Sequence, residues 1–309
     1  MKYLVKDFFQ KNKNNFRGQT RVDVSMAPYT TFHCQATADI IYSPKDREDL
    51  AEVVRLLDQE KFIFRKDWNV IGRGSNILVA DEGYHGCLID LSSDFQKIDM
   101  IHKDSDASVV RAEAGVANGT LLLYLKSKNL GGFEFAFGIP GCIGGGIRMN
   151  AGTPQGCFAQ TLKKVELMNV HGQILEISVD QSNFHYRDFP TAHQQIVLSG
   201  TFLFYQSNSL VIQEKIQLLK NQRKNQPLEF PNIGSVFKNP EGNFAGKLIQ
   251  ESGLKGLTIG DAQISEKHAN FIINLGQAKT KDVLELIRRA QKEVKEQFGI
   301  HLEPEVHCL

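Results

Sequence analysis

The sequence predicts an α+β protein of two or three domains. Three observations carry that expectation. The chain has 309 residues, more than one ordinary hydrophobic core organises. Its first third reads as a β-α-β-β unit, after which short β-like runs surround a glycine-rich centre. Its last third carries a loop of its own and then a long amphipathic helix.

The opening stretch, MKYLVKDFFQKNKNN, is too polar and its apolar run too short for a signal peptide. Ser43-Pro44-Lys45-Asp46 then opens a helix. Ser43 can cap it, Pro44 suits its first turn, and Leu50, Val53, Val54 and Leu57 fall on one face. Residues 61–65 and 68–71 read as extended chain entering a glycine turn; 76–80 is apolar again, and 86–91 is another short strand. Further on, β-like runs at 109–114, 165–168, 173–177 and 196–204 surround a helix near 121–128 and the glycine-rich stretch 131–156. A helix at 211–222 and a loop at 232–240 follow. The last helix, 282–298, carries the stripe Val283, Leu286, Ile287, Ala290, Val294 and Phe298, and Gly299 stops it. There is no internal repeat and no low-complexity tract.

Composition narrows the classes of function. Hydrophobic residues make up 41% and charged residues 23% of the chain, both ordinary for a globular protein. With 36 Lys and Arg against 35 Asp and Glu, the net charge is +1, which predicts neither a nucleic-acid nor a membrane partner. No apolar run reaches the ~18 residues of a membrane span. Cys34, Cys87, Cys142, Cys157 and Cys308 are scattered and never form a C-x-x-C. They read as free thiols in a reducing cytoplasm, and no metal site is expected.

Six segments can carry chemistry. Gly72-Arg73-Gly74-Ser75-Asn76 is not a dinucleotide fingerprint, because Ile77 stands where the third glycine belongs and strand-like chain follows. A strand–glycine turn–strand can still converge backbone N–H groups on an anion, with Ser75 and Asn76 as added donors; it can equally be a plain tight turn. In 138–152, six glycines fall within fifteen residues bracketed by apolar chain. That is unlike a Ser-rich linker and suits close backbone approach to a flat or phosphorylated ligand. Tyr186-Arg187-Asp188 offers a guanidinium, which alone is usually a surface group. In 232–240, Ser235 follows a glycine, but Phe237 rules out a G-x-S-x-G elbow. His268 within 264–274 and the carboxylates of 302–306 have ordinary structural readings as well.

The order and spacing of these segments resemble the UDP-N-acetylenolpyruvoylglucosamine reductase (UDP-N-acetylmuramate dehydrogenase) family. The matching residues are Tyr29-Thr30-Thr31-Phe32, GRGSNILV at 72–79, GIPGCIGGG at 138–146, NAG at 150–152, Tyr186-Arg187, GSVFKNP at 234–240, AGKLI at 245–249, GLKG at 253–256, ISEKHANFIIN at 264–274 and LEPEV at 302–306. The short link between Arg187 and Ser235 resembles the family's compact second type. The chain departs from the family in three places. His33-Cys34-Gln35-Ala36 stands where a Gly-Gly pair is common. Pro154-Gln155-Gly156-Cys157-Phe158 replaces the usual Tyr-Gly-Gly-Glu, and Phe189 replaces a Ser.

The resemblance implies a vanillyl-alcohol-oxidase (PCMH) type FAD-binding region in two parts, 1–91 and 92–207, and a C-terminal α+β substrate-binding domain, 208–300. Residues 301–309 would return to the first part. Noncovalent FAD would be held by Tyr29, Thr30, Gly72, Arg73, Gly74, Ser75, Asn76, Gly138, Ile139, Pro140, Gly141, Gly144, Gly145, Asn150, Ala151 and Gly152. The implied chemistry has two half reactions: NADPH reduces FAD, and hydride then passes to the enolpyruvyl methylene of UDP-N-acetylglucosamine enolpyruvate. By the same resemblance Arg187, Ser235 and Glu305 are catalytic. An arginine fork suits the substrate carboxylate and the charge that builds on it, Glu305 polarises the enolic intermediate, and Ser235 gives a proton to the α-carbon. Tyr186, Lys238 and Asn239 are expected to bind substrate. Another flavin oxidoreductase of this fold, or a non-catalytic nucleotide-sugar-binding relative, stays open at this point.

Overall fold

The computed structural model of the chain describes residues 2–309; Met1 of the opening stretch lies outside the described residues. The residues group into two compact units. One comprises the chain up to Val22, Ile40–Gly72 and Gly86–Arg223; the other comprises Asp23–Asp39, Arg73–His85 and Lys224–Leu309.

The first unit is centred on an antiparallel sheet ordered Ile174–Ser178, Leu162–Asn169, Gln195–Gln206, Ala107–Glu113, Ile98–Lys103, with the short strand Leu130–Gly131 also on Gln195–Gln206. The helix Asn118–Ser127 and an aromatic cluster of Phe133, Phe135, Phe158, Phe202 and Phe204 fill its core. Phe133 touches each of the other four rings in edge contact. A further sheet runs Gln19–Ser25, Thr37–Ser43, Tyr84–Asp90, Trp68–Ile71, the last pair parallel. In the second unit, Asn232–Ser235, Phe271–Asn274, Ala262–Ile264 and Thr258–Ile259 form an antiparallel sheet in that order. The helix Thr280–Phe298 packs on it and on the helix Ala245–Glu251. His307–Cys308 pairs in parallel with Ile77–Leu78.

Most of the expected elements are present, and the exceptions have local causes. The first expected helix starts later, at Arg47 rather than near Ser43. Asp46 is the cap, its carboxylate accepting from Asp49 N, while Ser43 ends a strand and is buried with its hydroxyl on Arg21. Residues 61–65 are a loop rather than extended chain. Lys61 and Arg65 both adopt positive φ, and only Phe64 makes an isolated bridge, to Trp68. The glycine-rich stretch contains a short helix, Ile143–Arg148, that propensity would not predict. Its first amides are held from outside, Ile143 N by Val116 O and Gly144 N by Ala114 O. In the last helix the stripe is buried except for Phe298, which is 39% exposed, and Gly299 closes it at φ 71. Phe189, where the family commonly has Ser, is fully buried and stacks on Phe184 at 4.2 Å.

Candidate active site

The glycine turn at 72–76 runs, as expected, between the strand Trp68–Ile71 and the strand Ile77–Leu78. Gly74 has φ +54, and a Cβ there would lie 2.0 Å from the Tyr29 carbonyl oxygen, so only glycine fits. Thr31 N donates to Gly74 O, and Asn232 N donates to Thr31 O, which ties 29–31 to the turn and to the strand before Ser235. Thr30 is buried, donating to Met26 O and accepting from Cys34 N. Ser75 is half-buried and Arg73 is exposed.

Ser235 stands exposed at the end of the strand Asn232–Ser235. Gly234, at φ +74, breaks the register just before it, and Gly234 N donates to Asn232 Oδ1. Beyond Ser235 the backbone is clamped. Phe237 N donates to Asn270 Oδ1 at 3.0 Å, and Asn270 Nδ2 returns a bond to Phe237 O at 2.9 Å. Glu305 N donates to Val236 O, Lys238 N donates to Glu303 O, and Asn76 Nδ2 donates to Glu305 O at 2.9 Å. Asn76, Ser235 and Glu305, far apart in sequence, therefore meet in one unit. Lys238 Nζ pairs with Glu303 Oε1 at 2.6 Å, and Asn239 Oδ1 accepts from Ala245 N at the start of a helix.

Arg187 lies in the other unit. His185 and Asp188 exchange both backbone hydrogen bonds, so Tyr186 and Arg187 form the tip of a tight turn. Arg187 has φ +59, a conformation that costs a non-glycine residue of order 1 kcal/mol and persists where the surroundings enforce it. Its Nη2 donates to Gly152 O at 2.8 Å, and its guanidinium lies 5.0 Å over the half-exposed Tyr186 ring. Asp188 binds Arg148 Nη1 at 3.1 Å and His193 Nε2 at 2.6 Å. Burial pushes its carboxyl up, but His193 and Arg148 together hold it below the ordinary carboxylate value.

The loop 138–152 belongs to the same unit as Arg187. Gly138 and Gly141 adopt positive φ. A Cβ on Gly144 would meet Ala114 Cβ at 2.9 Å, whereas one on Gly145 meets nothing within 4 Å. Ile139 is half-buried, Pro140 is exposed, and Ala151 N donates to Gly146 O. Gly146 must be glycine because the Phe158 ring lies 2.3 Å from the position of its Cβ. Beneath the loop, Asn118 Nδ2 reaches Ile139 O and Pro140 O at 3.4 Å, while its buried Oδ1 has no partner among the described residues. Asn150 is buried with both ends of its amide on protein: Nδ2 donates to His185 O and Oδ1 accepts from Ala159 N.

Two basic residues at this unit's loops gave no sequence signal. Arg223 Nη1 donates to Gly138 O at 2.7 Å, and its burial pushes the guanidinium below its ordinary value. Burial, and then the Arg148 charge, do the same to Arg65. An anion placed beside either group would relieve that cost. The glycine cradle, the open face of Gly145, the unspent acceptor of Asn118 and the Arg223 cation together fit a flat group carrying phosphates, as FAD does.

Comparison with known proteins agrees with this chemistry. A family model described as UDP-N-acetylenolpyruvoylglucosamine reductase, C-terminal domain, matches residues 226–309, and one described as FAD binding domain matches 38–178. A UDP-N-acetylenolpyruvoylglucosamine reductase of Clostridium botulinum is 40% identical over 94% of this chain and 93% of its own length. One from Desulforamulus reducens is 38% identical over 95% and 94%. The crystal structure of UDP-N-acetylenolpyruvylglucosamine reductase from Thermus caldophilus superposes with a TM-score of 0.77 at 33% identity, covering 94% of this chain and 98% of that one.

Proposed function

The chain belongs to the UDP-N-acetylenolpyruvoylglucosamine reductase family, and we propose that it carries out that family's reaction, the NADPH-dependent, FAD-mediated reduction of UDP-N-acetylglucosamine enolpyruvate to UDP-N-acetylmuramate. It is a flavin-dependent oxidoreductase of peptidoglycan-precursor synthesis, with a PCMH-type FAD-binding region and a C-terminal α+β domain. The observation that carries the reading is the meeting of Asn76, Ser235 and Glu305 on hydrogen-bonded segments within a chain of this family.

In this reading, residues 29–30, 72–76, 138–141, 144–145 and 151–152 hold FAD, with Arg223 added at Gly138. FAD when bound accepts hydride from NADPH and delivers it to the enolpyruvyl methylene carbon. The protein's own residues do the rest. The Arg187 fork grips the substrate carboxylate through two hydrogen bonds and neutralises the charge that develops there. Glu305, its backbone fixed by Asn76 and Val236, polarises the enolic group. Ser235 donates the proton to the α-carbon, a strong enough base that a weakly acidic hydroxyl suffices. Lys238 keeps donors beyond its bond to Glu303, and Asn239 keeps its NH₂ free beyond the bond its oxygen accepts. Both suit the diphosphate, with Tyr186 also on the substrate.

The three-part division at 91/92 and 207/208, with 301–309 returning to the first part, belongs to the same reading; the pairing of His307–Cys308 with Ile77–Leu78 supports the return. So does a cytoplasmic location. Among the described residues no helix is long and apolar enough to cross a membrane. The test is direct. The purified protein should be yellow, and its flavin should bleach on anaerobic addition of NADPH and recover on adding the enolpyruvyl substrate. Acid precipitation should leave the flavin in the supernatant. A colourless protein, or bleached flavin that the substrate does not restore, refutes the assignment.

A further inference from the structure

We infer that Asn150 is a positioning residue for Arg187, holding the 186–187 turn through its side-chain amide instead of contacting FAD. The inference deepens the proposed function and rests on its assignment of Arg187 to the substrate carboxylate. Sequence alone groups Asn150 with the cofactor loop, because it sits in the NAG motif. The geometry assigns the side chain elsewhere. Asn150 is 7% exposed, and each end of its carboxamide meets backbone: Nδ2 donates to His185 O at 3.0 Å, and Oδ1 accepts from Ala159 N at 3.1 Å.

His185 O is the carbonyl that also accepts from Asp188 N and so closes the turn. Two residues beyond Asn150, Gly152 O accepts the Arg187 guanidinium at 2.8 Å. The 150–152 segment thus grips the turn at its base and the arginine at its head. The residue type follows. Asn150 has φ 41, which asparagine tolerates better than most side chains, and glycine in the same conformation would leave both backbone partners unmet. Arg187 itself sits at φ +59, so its conformation needs support from outside the turn.

Asn150→Asp is the discriminating variant. It keeps the shape, the tolerance of positive φ and an acceptor for Ala159 N, but sets a carboxylate oxygen against His185 O. In the holoenzyme, FAD content, FAD release on dilution and flavin reduction by NADPH should stay near wild type. Flavin reoxidation by the enolpyruvyl substrate should slow by roughly ten- to hundredfold, the effect of one lost buried bond that misplaces the arginine. Between about pH 8 and about pH 5.5 the variant-to-wild-type ratio should rise, because the protonated carboxyl can again donate to His185 O. His185, Arg187 and Asp188 of the turn, with Arg148 and His193 on Asp188, carry charge or titrate in both proteins, so the ratio isolates position 150. Asn150→Gly should show the slowing without the acid recovery, and it carries the test if Asn150→Asp does not fold.

Wild-type reoxidation in either variant, FAD loss that parallels the loss of turnover, or no acid recovery in a folded Asn150→Asp each overturns the inference. Arg187→Lys is measured alongside. If it leaves reoxidation unchanged, the assignment of Arg187 fails and this inference with it. If it slows reoxidation while Asn150→Asp does not, the inference alone fails.

Discussion

Ser235→Ala separates chemistry from folding more cleanly than any other substitution in the site. Ser235 is exposed, and its hydroxyl makes no hydrogen bond among the described residues. Its surroundings are held by other groups: the Gly234 bend by Asn232, and the Val236-Phe237 backbone by Asn270 and the 303–305 segment. Removing Oγ therefore deletes no hydrogen bond among the described residues, and a surface change of this kind stays within about 0.5 kcal/mol of wild-type stability. A large kinetic effect cannot then be charged to a damaged fold. If Ser235 delivers the α-carbon proton, its loss should slow substrate reduction by a factor of ~10² to 10⁴. NADPH reduction of the flavin and FAD retention should stay near wild type, and substrate affinity should change less than the rate. Anaerobic stopped-flow reoxidation by the enolpyruvyl substrate reads the step directly. A rate within a few-fold of wild type would remove the proton-donor role and leave Glu305 or a bound water to supply it.

Further expectations follow from the same geometry. Arg187→Lys keeps the charge but loses the planar fork, so it should impair reoxidation by substrate more than reduction by NADPH; equal losses in single-turnover measurements of the two would count against the role. Gly74→Ala should lower both thermal stability and FAD content. The left-handed conformation alone costs an alanine about 1–2 kcal/mol, and its Cβ would lie 2.0 Å from Tyr29 O; an unchanged melting temperature would refute the close-packed turn. His268 is held below its ordinary value, first by burial and then by the Lys255 charge, so the unfolded chain takes up a proton at a higher pH than the folded one. Stability should consequently fall as pH drops through the ordinary imidazole range, and His268→Gln should flatten that slope in denaturant titrations at several pH values.

The parts of the fold that follow from local rules were legible. The 3.6-residue stripe and Gly299 mark the last helix, and the glycine turn at 72–76 lies between strands as its flanks suggest. Where the reading strayed, a distant partner decided. Ser43-Pro44 has the local features of a helix start. Asp46 caps instead, because Thr37–Ser43 is drawn into a sheet and the Ser43 hydroxyl goes to Arg21. The helix Ile143–Arg148 is half glycine by sequence and helical by virtue of the Ala114 and Val116 carbonyls that hold its first amides.

The asparagines show most clearly what spacing can and cannot reveal. Asn76, Asn150, Asn270 and Asn274 all lie in motifs that resemble a catalytic family, and motif membership alone suggests ligand contact. Each instead uses its side chain on backbone far along the chain: Asn76 on Glu305 O, Asn150 on His185 O, Asn270 on both polar groups of Phe237, and Asn274 on Phe32 O. A carboxamide suits this task because it donates and accepts at once and carries no charge to bury. The groups assigned to chemistry are placed by the segments that carry them. The Ser235 hydroxyl makes no hydrogen bond among the described residues, and Glu305 is pinned through its own N–H and C=O. Arg187 is fixed by a turn whose base an asparagine holds. Such a division fixes where reactive side chains start from, and it is the arrangement that preorganised catalysis requires. A motif of this kind therefore records two separate demands, chemistry and placement, and only the partner of each side chain tells which demand a given residue meets.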